Sequence, residues 1–123
     1  MIKMVYCITR KDGISREAFQ KTWLEDHGPL VKRYAETIKA LRYVQSHTGM
    51  ENFNQAFIPT RGLTQPYDGI TEIWWENIEQ MQAGSSTPEG LEAAAALLED
   101  EKRFIDLERS SIWTAEENVV VAG

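Results

Sequence analysis

Residues 15–37 read SREAFQKTWLEDHGPLVKRYAET, a helical pattern that is interrupted by Gly28 and Pro29. A proline inside a helix removes a backbone donor and disfavours helical geometry just before it, at a cost of about 3 kcal/mol or more. Apolar residues continue at spacings of three to four on both sides, which predicts one buried face. These residues are Ala18, Phe19, Trp23, Leu30, Val31, Tyr34 and Ala35. We therefore expect two helical pieces that meet near His27.

The ends of these two pieces can be assigned from capping signals. Ser15 is an N-cap candidate for the first piece, and Pro29 suits the first residue of the second, where its missing N–H is harmless. His27 then lies at the junction, where the dipole of the second helix disfavours its charged form. A carboxylate at Glu25 or Asp26 would favour the charged form. The sequence leaves this balance open.

The global composition limits the class of protein. A chain of 123 residues with 42% hydrophobic content predicts one domain over 1–123. A net charge of -6 without long basic runs argues against nucleic acid or an anionic membrane surface as partner. No apolar stretch has transmembrane length, and the first residues resemble a strand rather than a signal peptide, so we expect a cytoplasmic protein.

The single cysteine predicts neither a disulfide nor a metal site. Cys7 has no partner for an internal disulfide, and no Cys/His cluster has the spacing of zinc ligands. We expect Cys7 to be a small buried apolar residue, since no motif beside it would activate a thiol.

Periodicity along the rest of the chain predicts four strands and a second helical region. The predicted strands are 2–9, 41–48, 70–76 and 110–114. We expect a turn at 11–13, a long loop over 49–69, a short helix over 77–83 that breaks at 84–86, a helix from Thr87 onward, and a tail over 116–123. The order strand, helix, strand, strand, helix, strand predicts an α+β fold of the ferredoxin-like βαββαβ type with an antiparallel four-stranded sheet.

The predicted strands are apolar on both faces. Met4 and Tyr6 alternate with Val5 and Cys7 in the first strand, and the third strand carries tryptophan on both sides. An antiparallel sheet covered by helices on one side normally leaves its other face polar. We therefore expect the second face to pack against a second copy of the chain in a symmetric homodimer.

The residues around the interrupted helix resemble the EthD family. The resemblance rests on Phe19, Trp23, the run DHGPLV at 26–31 and Tyr34, which follow an opening strand and a Lys-Asp-Gly turn. It implies a dimeric α+β barrel, in which two ferredoxin-like domains join sheet to sheet, and a pocket containing His27 between sheet and helices. Similar proteins include polyketide cyclases and dehydratases, methylmuconolactone methylisomerase, and heme-linked or quinone-forming monooxygenases.

Histidine is the residue on which we base a prediction of chemistry. The chain has no glycine-rich phosphate loop, dinucleotide fingerprint or metal-ligand cluster, so we expect no cofactor. A histidine with a pKa near 6.5 can take a proton from carbon beside a carbonyl and return one. With the resemblance, this favours an enzyme in which His27 catalyses dehydration, cyclisation or isomerisation of an aromatic, polyketide-like or lactone substrate. The predicted substrate contacts are Tyr6, Trp23, Tyr34 and Trp74.

Each of these residues also has a structural interpretation. Judged by position alone, His27 suits a core or capping histidine, and the four aromatic residues suit an ordinary core. His47 is expected to be exposed rather than catalytic. Asp26, Glu72 and Glu76 are most simply solvated charges, although Glu72 shares a strand face with Trp74 and is also a candidate for a second acid-base group.

Two other functions remain open. One is a noncatalytic protein that binds a small apolar molecule, or assists an enzyme, in a degradation pathway. The other is a heme-linked or cofactor-free monooxygenase.

Overall fold

The computed structural model describes residues 1–123 and contains one four-stranded sheet. The strands are β1 (Ile2–Ile8), β2 (Arg42–His47), β3 (Gly69–Trp75) and β4 (Ser111–Glu116). All neighbouring pairs are antiparallel, in the order β2-β3-β1-β4. The predicted ferredoxin-like α+β fold is confirmed, with strand ends within two residues of those expected.

Five α-helices connect the strands. They are α1 (Arg16–Thr22), α2 (Gly28–Tyr34), α3 (Glu51–Arg61), α4 (Ile78–Ser86) and α5 (Pro88–Glu101). A π-helical turn, Trp23–His27, joins α1 to α2, and a short 3-10 turn, Leu107–Arg109, precedes β4. The helix starts predicted from capping signals are confirmed, because the Ser15 hydroxyl accepts from Ala18 N–H and the Thr87 hydroxyl from Gly90 N–H. None of the helices has the length and apolarity needed to cross a membrane.

The prediction of a long loop over 49–69 was wrong, because α3 occupies its first half. Met50 at the N-terminal end and Gly62 at the C-terminal end both adopt left-handed backbone conformations that bound the helix. No residue of α3 is buried, and the Phe53 and Phe57 side chains are exposed. A helix that buries none of its residues lacks the one-sided apolar pattern that identifies helices in sequence.

The prediction of a break at 84–86 was also wrong, since α4 continues to Ser86. Gly84 is buried, and a Cβ at this position would overlap the Ile38 carbonyl. The same carbonyl accepts a hydrogen bond of 2.8 Å from the Trp75 indole N–H. The glycine therefore permits a close backbone contact and does not end the helix.

The helices cover one face of the sheet, which we call the inner face. Register pairs Met4 with Ile73 and Tyr6 with Thr71 on this side. The core contains Tyr6, Ile8, Phe19, Trp23, Phe104 and Ile105. Phe19 lies between the rings of Trp23 and Phe104, at centroid distances of 5.4 and 5.8 Å. Burial of these aromatic side chains against the sheet is the main apolar contribution to stability.

The opposite side of the sheet, which we call the outer face, carries no helix. Register places on it Lys3, Val5, Cys7, Arg42, Val44, Ser46, Ile70, Glu72, Trp74, Ser111, Trp113 and Ala115. Lys3 Nζ pairs with Glu72 Oε2 at 2.6 Å. The Trp74 ring lies beside two cations, with Lys3 Nζ at 5.4 Å and Arg42 Cζ at 5.2 Å from its centroid. Cys7 is buried within the chain, as expected.

Candidate active site

The helix does not break at Gly28 and Pro29. The π-helical turn Trp23–His27 leads directly into α2, which begins at Gly28. Gly28 N–H donates to the Trp23 carbonyl, five residues earlier, and the Gln45 amide donates to the same carbonyl at 2.9 Å. Pro29 then occupies the first turn of α2, where no donor is required. π-helical turns of this kind are frequent at functional sites because they shift side chains out of the regular helical pattern.

The turn carries His27 into the protein interior. Its side chain is 7% exposed, and its ring meets Phe104 edge-on at 5.3 Å. Nδ1 lies 2.7 Å from Asp100 Oδ2, on the last turn of α5. Trp23 and Val31 are buried on the same side, whereas Ala18, predicted to share this face, is exposed.

Asp100 is fixed from its other side by Arg103. The guanidinium Nε donates to Asp100 Oδ1 at 2.7 Å. Burial alone would raise the pKa of Asp100, but the hydrogen bonds from His27 and Arg103 bring it below its usual value. The group that faces His27 is therefore a carboxylate. Asp26, which the sequence suggested as a carboxylate beside His27, is exposed, and its Oδ2 lies 3.8 Å from Arg103 Nη2.

The arrangement determines which His27 nitrogen is available. A carboxylate accepts only, so Asp100 holds the tautomer with a proton on Nδ1. Nε2 makes no hydrogen bond within the chain, and since no buried side-chain nitrogen is both sealed and unpaired, it retains accessible surface. It is the ring nitrogen left available to the cavity that His27 lines. Burial lowers the pKa of His27, and the interaction with Asp100 opposes this in part. The neutral ring is thus favoured at pH 7.

The cavity beside His27 has a volume of about 70 Å³ and lies between the inner face and the helices. Its lining is mainly apolar. The polar lining groups are Tyr6, His27, Tyr43, Thr71 and Glu101. Burial raises the pKa of Tyr6 and of Tyr43, and in Tyr6 the Glu101 charge adds to the rise. Both phenols therefore remain hydrogen-bond donors across the physiological pH range.

Sequence reasoning selected five residues for this site, and the structure brings three of them to one cavity. Tyr6, Trp23 and His27 line it together. Tyr34 lies half-buried on α2 outside the cavity, beside Arg33. Trp74 lies on the outer face, where its indole N–H donates to Glu117 at 2.6 Å.

Three polar groups at the cavity were not identified from the sequence as members of the site: Tyr43, Thr71 and Glu101. Glu72, the candidate for a second acid-base group, pairs with Lys3 on the outer face. The carboxyl group that does line the cavity with His27 is that of Glu101. Asp100 and Glu101 are 73 and 74 positions from His27, and the run LEDE resembles a solvated helix end. The only local signal was that the apolar Leu97 lies four positions before Glu101, a spacing that places both on one side of the helix.

A larger groove of about 650 Å³ opens beside the cavity, between α2 and the edge strand β2. Val31 and Tyr43 line both spaces. The Tyr43 hydroxyl accepts from the Gln45 amide at 2.8 Å, and His47 Nε2 lies 2.8 Å from Gln45 Oε1. His47 stacks on Trp23 at 4.5 Å and is half-buried rather than exposed. No three His, Cys, Asp or Glu side chains are grouped as metal ligands.

The fold and the cavity define a ferredoxin-like α+β protein with a buried His–Asp pair. A family model described as the EthD domain matches residues 11–108. The chain belongs to the EthD family.

Solved structures share this fold at low sequence identity. An EthD family protein from Bacillus halodurans C-125 is 18% identical with a TM-score of 0.65, over 96% of this chain and 99% of that one. HapK from Hahella chejuensis is 12% identical with a TM-score of 0.61, over 100% and 98%. A dimeric ferredoxin-like protein from Thermobifida fusca is 10% identical with a TM-score of 0.59, over 94% and 90%. A comparison with curated proteins found no match.

Proposed function

We propose that this protein is a cofactor-independent acid-base enzyme in which His27 moves a proton to or from carbon beside a carbonyl group. The observation that carries this proposal is the Nδ1 contact of His27 with Asp100 at 2.7 Å, which leaves Nε2 facing the cavity. A general base needs an available lone pair and a fixed orientation. Asp100 supplies the orientation, and also stabilises the imidazolium that forms when the proton is taken.

The electrostatics of the site support a base that works near neutral pH. Burial lowers the pKa of His27 and keeps Nε2 unprotonated before the reaction. The Tyr6, Tyr43 and Thr71 hydroxyls are the donors that would stabilise the oxygen of an enolate. Apolar walls around them exclude water and strengthen each of these interactions.

The two adjoining spaces suggest how an aromatic, polyketide-like or lactone substrate is held. A cavity of about 70 Å³ admits only the reacting atoms, whereas the groove of about 650 Å³ accepts the body of such a molecule. The side chain of Tyr43 lies between them, so its rotation would connect the two. Trp23 and Tyr6 provide the aromatic surface at the reacting end.

We also propose that two copies of the chain pair through their outer faces. The half-exposed Trp113 and the central Lys3–Glu72 pair form a mixed aromatic and charged surface without a cover in the single chain. The Thermobifida fusca protein of the same fold is described as dimeric. A symmetric interface would place the same surface on both copies.

Proton NMR in deuterated buffer tests the proposed chemistry directly. Aromatic β-ketones, β-hydroxyketones and muconolactones serve as probes, and exchange of carbon-bound hydrogen beside the carbonyl is followed. We expect exchange with the wild type and a loss of about 10²- to 10⁴-fold in His27→Ala. His47→Gln, at the other histidine, is the matched control and should exchange at nearly the wild-type rate.

Two results would contradict the proposal. Exchange within a few-fold of wild type in His27→Ala would remove the acid-base role. Probe line broadening without exchange in both proteins would instead indicate a binding protein without catalysis.

A further inference from the structure

Glu101 is the second carboxyl near His27, and it differs from Asp100 in where it points. Successive helical residues are turned by about 100°, so these neighbours on α5 face different directions. Asp100 bonds His27 Nδ1, behind the ring, whereas Glu101 lines the cavity that Nε2 faces. The surrounding walls are apolar and include Met4, Ile73, Leu97 and Ile105. The cavity thus places a carboxyl and an imidazole nitrogen in one enclosed space.

The Glu101 carboxyl has no cation beside it. Asp100 is paired with Arg103 and His27, but none of the ion pairs in the protein includes Glu101. A carboxylate without a cation in apolar surroundings is costly, and protonation reduces that cost. Burial raises the pKa of Glu101, the hydrogen bond from the Tyr6 phenol opposes this in part, and the Asp100 charge adds a smaller rise. His27 is shifted the other way, towards its neutral form.

Two groups in one cavity whose pKa values are shifted in opposite directions are the pattern expected of an acid and a base. We propose that Glu101 is a second catalytic residue, the proton donor to a leaving oxygen, and that the reaction is the elimination of water from a β-hydroxycarbonyl compound. This inference rests on the function proposed for His27. It adds the reaction class and the substrate class, because dehydration uses a base at carbon and a proton donor at the leaving oxygen together, whereas an isomerisation returns the proton to carbon.

The step balances with these two groups alone. His27 Nε2 takes the proton from the carbon beside the carbonyl, and the C–H electron pair becomes the new carbon–carbon double bond. The C–O bond at the β carbon breaks, and Glu101 gives its proton to the departing hydroxyl, which leaves as water. Transfer of the proton from His27 back to Glu101 restores both groups. No oxidant, reductant or metal is required.

Glu101→Gln separates the two roles because exchange at carbon needs His27, whereas loss of water needs Glu101. The probe is an aromatic β-hydroxyketone in deuterated buffer, with both signals followed by NMR. We expect Glu101→Gln to lose elimination by about 10²-fold or more while carbon exchange stays within a few-fold of wild type. The matched control is Glu99→Gln, two positions away, whose exposed side chain pairs with Lys102. It should retain both activities.

Each alternative outcome points to a different failure. Elimination by Glu101→Gln within about threefold of wild type would overturn the role of Glu101 and leave that of His27 intact. Absence of carbon exchange in the wild type would overturn the function proposed for His27, and the assignment of this elimination would fall with it.

The protonation state of Glu101 can be measured without any substrate. Carboxyl ¹³C NMR of the full chain, with the signal assigned by its loss in Glu101→Gln, gives the titration midpoint. The groups that face Glu101 are Tyr6 on β1, His27 on the π-helical turn, Tyr43 on β2 and Asp100 on its own helix. We expect a midpoint above the usual 4.5. A midpoint at or below that value would rule out a proton donor here, and a circular dichroism melt confirms that the variant is folded.

Discussion

The two faces of the sheet are made by the same strands and yet differ in almost every physical respect. The inner face is sealed by helices, with Trp23 and Phe19 at 0% exposure and a small cavity between them and the strands. The outer face has its charges in the middle, where Lys3 pairs with Glu72, and leaves Trp113 47% exposed. Because successive side chains of a strand point to opposite faces, one sheet can have a sealed apolar environment on one side and a partly exposed, charged environment on the other. The titratable groups of the cavity lie on the inner side, and the exposed aromatic and charged groups suited to contact with another molecule lie on the outer side.

The strongest test of this difference compares one tryptophan from each face. Trp23→Ala removes a fully buried ring and should lower the free energy of unfolding by about 3–5 kcal/mol. Trp74→Ala on the outer face should cost about 1 kcal/mol, mainly through its hydrogen bond to Glu117. Urea unfolding at one protein concentration, low enough to keep the chain monomeric, checks both values. Equal costs would mean that the outer face is as tightly packed as the inner one.

A smaller effect is expected from overfilling the inner face. A Cβ at Gly69 would overlap the six-membered ring of Trp23, so Gly69→Ala forces the ring or the strand to shift. We expect a loss of about 1–3 kcal/mol in the free energy of unfolding. Gly49→Ala is the matched control, since nothing lies within 4 Å of its added Cβ. Thermal unfolding followed by circular dichroism measures both, and a neutral Gly69→Ala would show that Trp23 has room to move.

The smallest effect concerns the ion pair of the outer face. Lys3→Gln should change the free energy of unfolding of the single chain by about 0.2–1 kcal/mol, as expected for a partly exposed pair. If outer faces pair, Glu72 is left without its partner in the interface, and the dimer should dissociate at a higher concentration than the wild type. Analytical ultracentrifugation tests this, with Lys102→Gln as a control at an exposed pair. Unchanged association would exclude Lys3 from the interface.

The inner strands were the easiest part of the molecule to predict from sequence. β1 and β3 are rich in strand-forming residues and are bounded by turn signals, and both were located to within a residue. α3 was missed for the complementary reason. Its apolar residues, such as Phe53 and Phe57, point into solvent, and Pro59 lies within the helix, so local pattern and composition both favoured a loop.

The candidate site was predictable only where the signal was local. His27 was found because the Gly28–Pro29 pair marks it in the sequence. Asp100 and Glu101 were not found, because their relation to His27 is created by the packing of α5 against the π-helical turn. Two acidic residues at a helix end are ordinarily solvated, and nothing local distinguishes these from Glu99, whose side chain is 77% exposed.

The π-helical turn also has a consequence for the phase of the helix around it. Phe19, Trp23, His27 and Val31 are all buried and recur every four residues. In a regular α-helix a four-residue repeat advances by about 40° per step, so the stripe would wind away from the sheet over three steps. Because a π-helical turn contains more residues per turn, it reduces this rotation about the helix axis. His27 therefore stays on the same side as Trp23 before it and Val31 after it. The placement of the histidine therefore depends on the number of residues in the turn as much as on their identity. Deletion of one residue between Trp23 and His27 would turn the imidazole away from Asp100, although the composition of the helix would be almost unchanged.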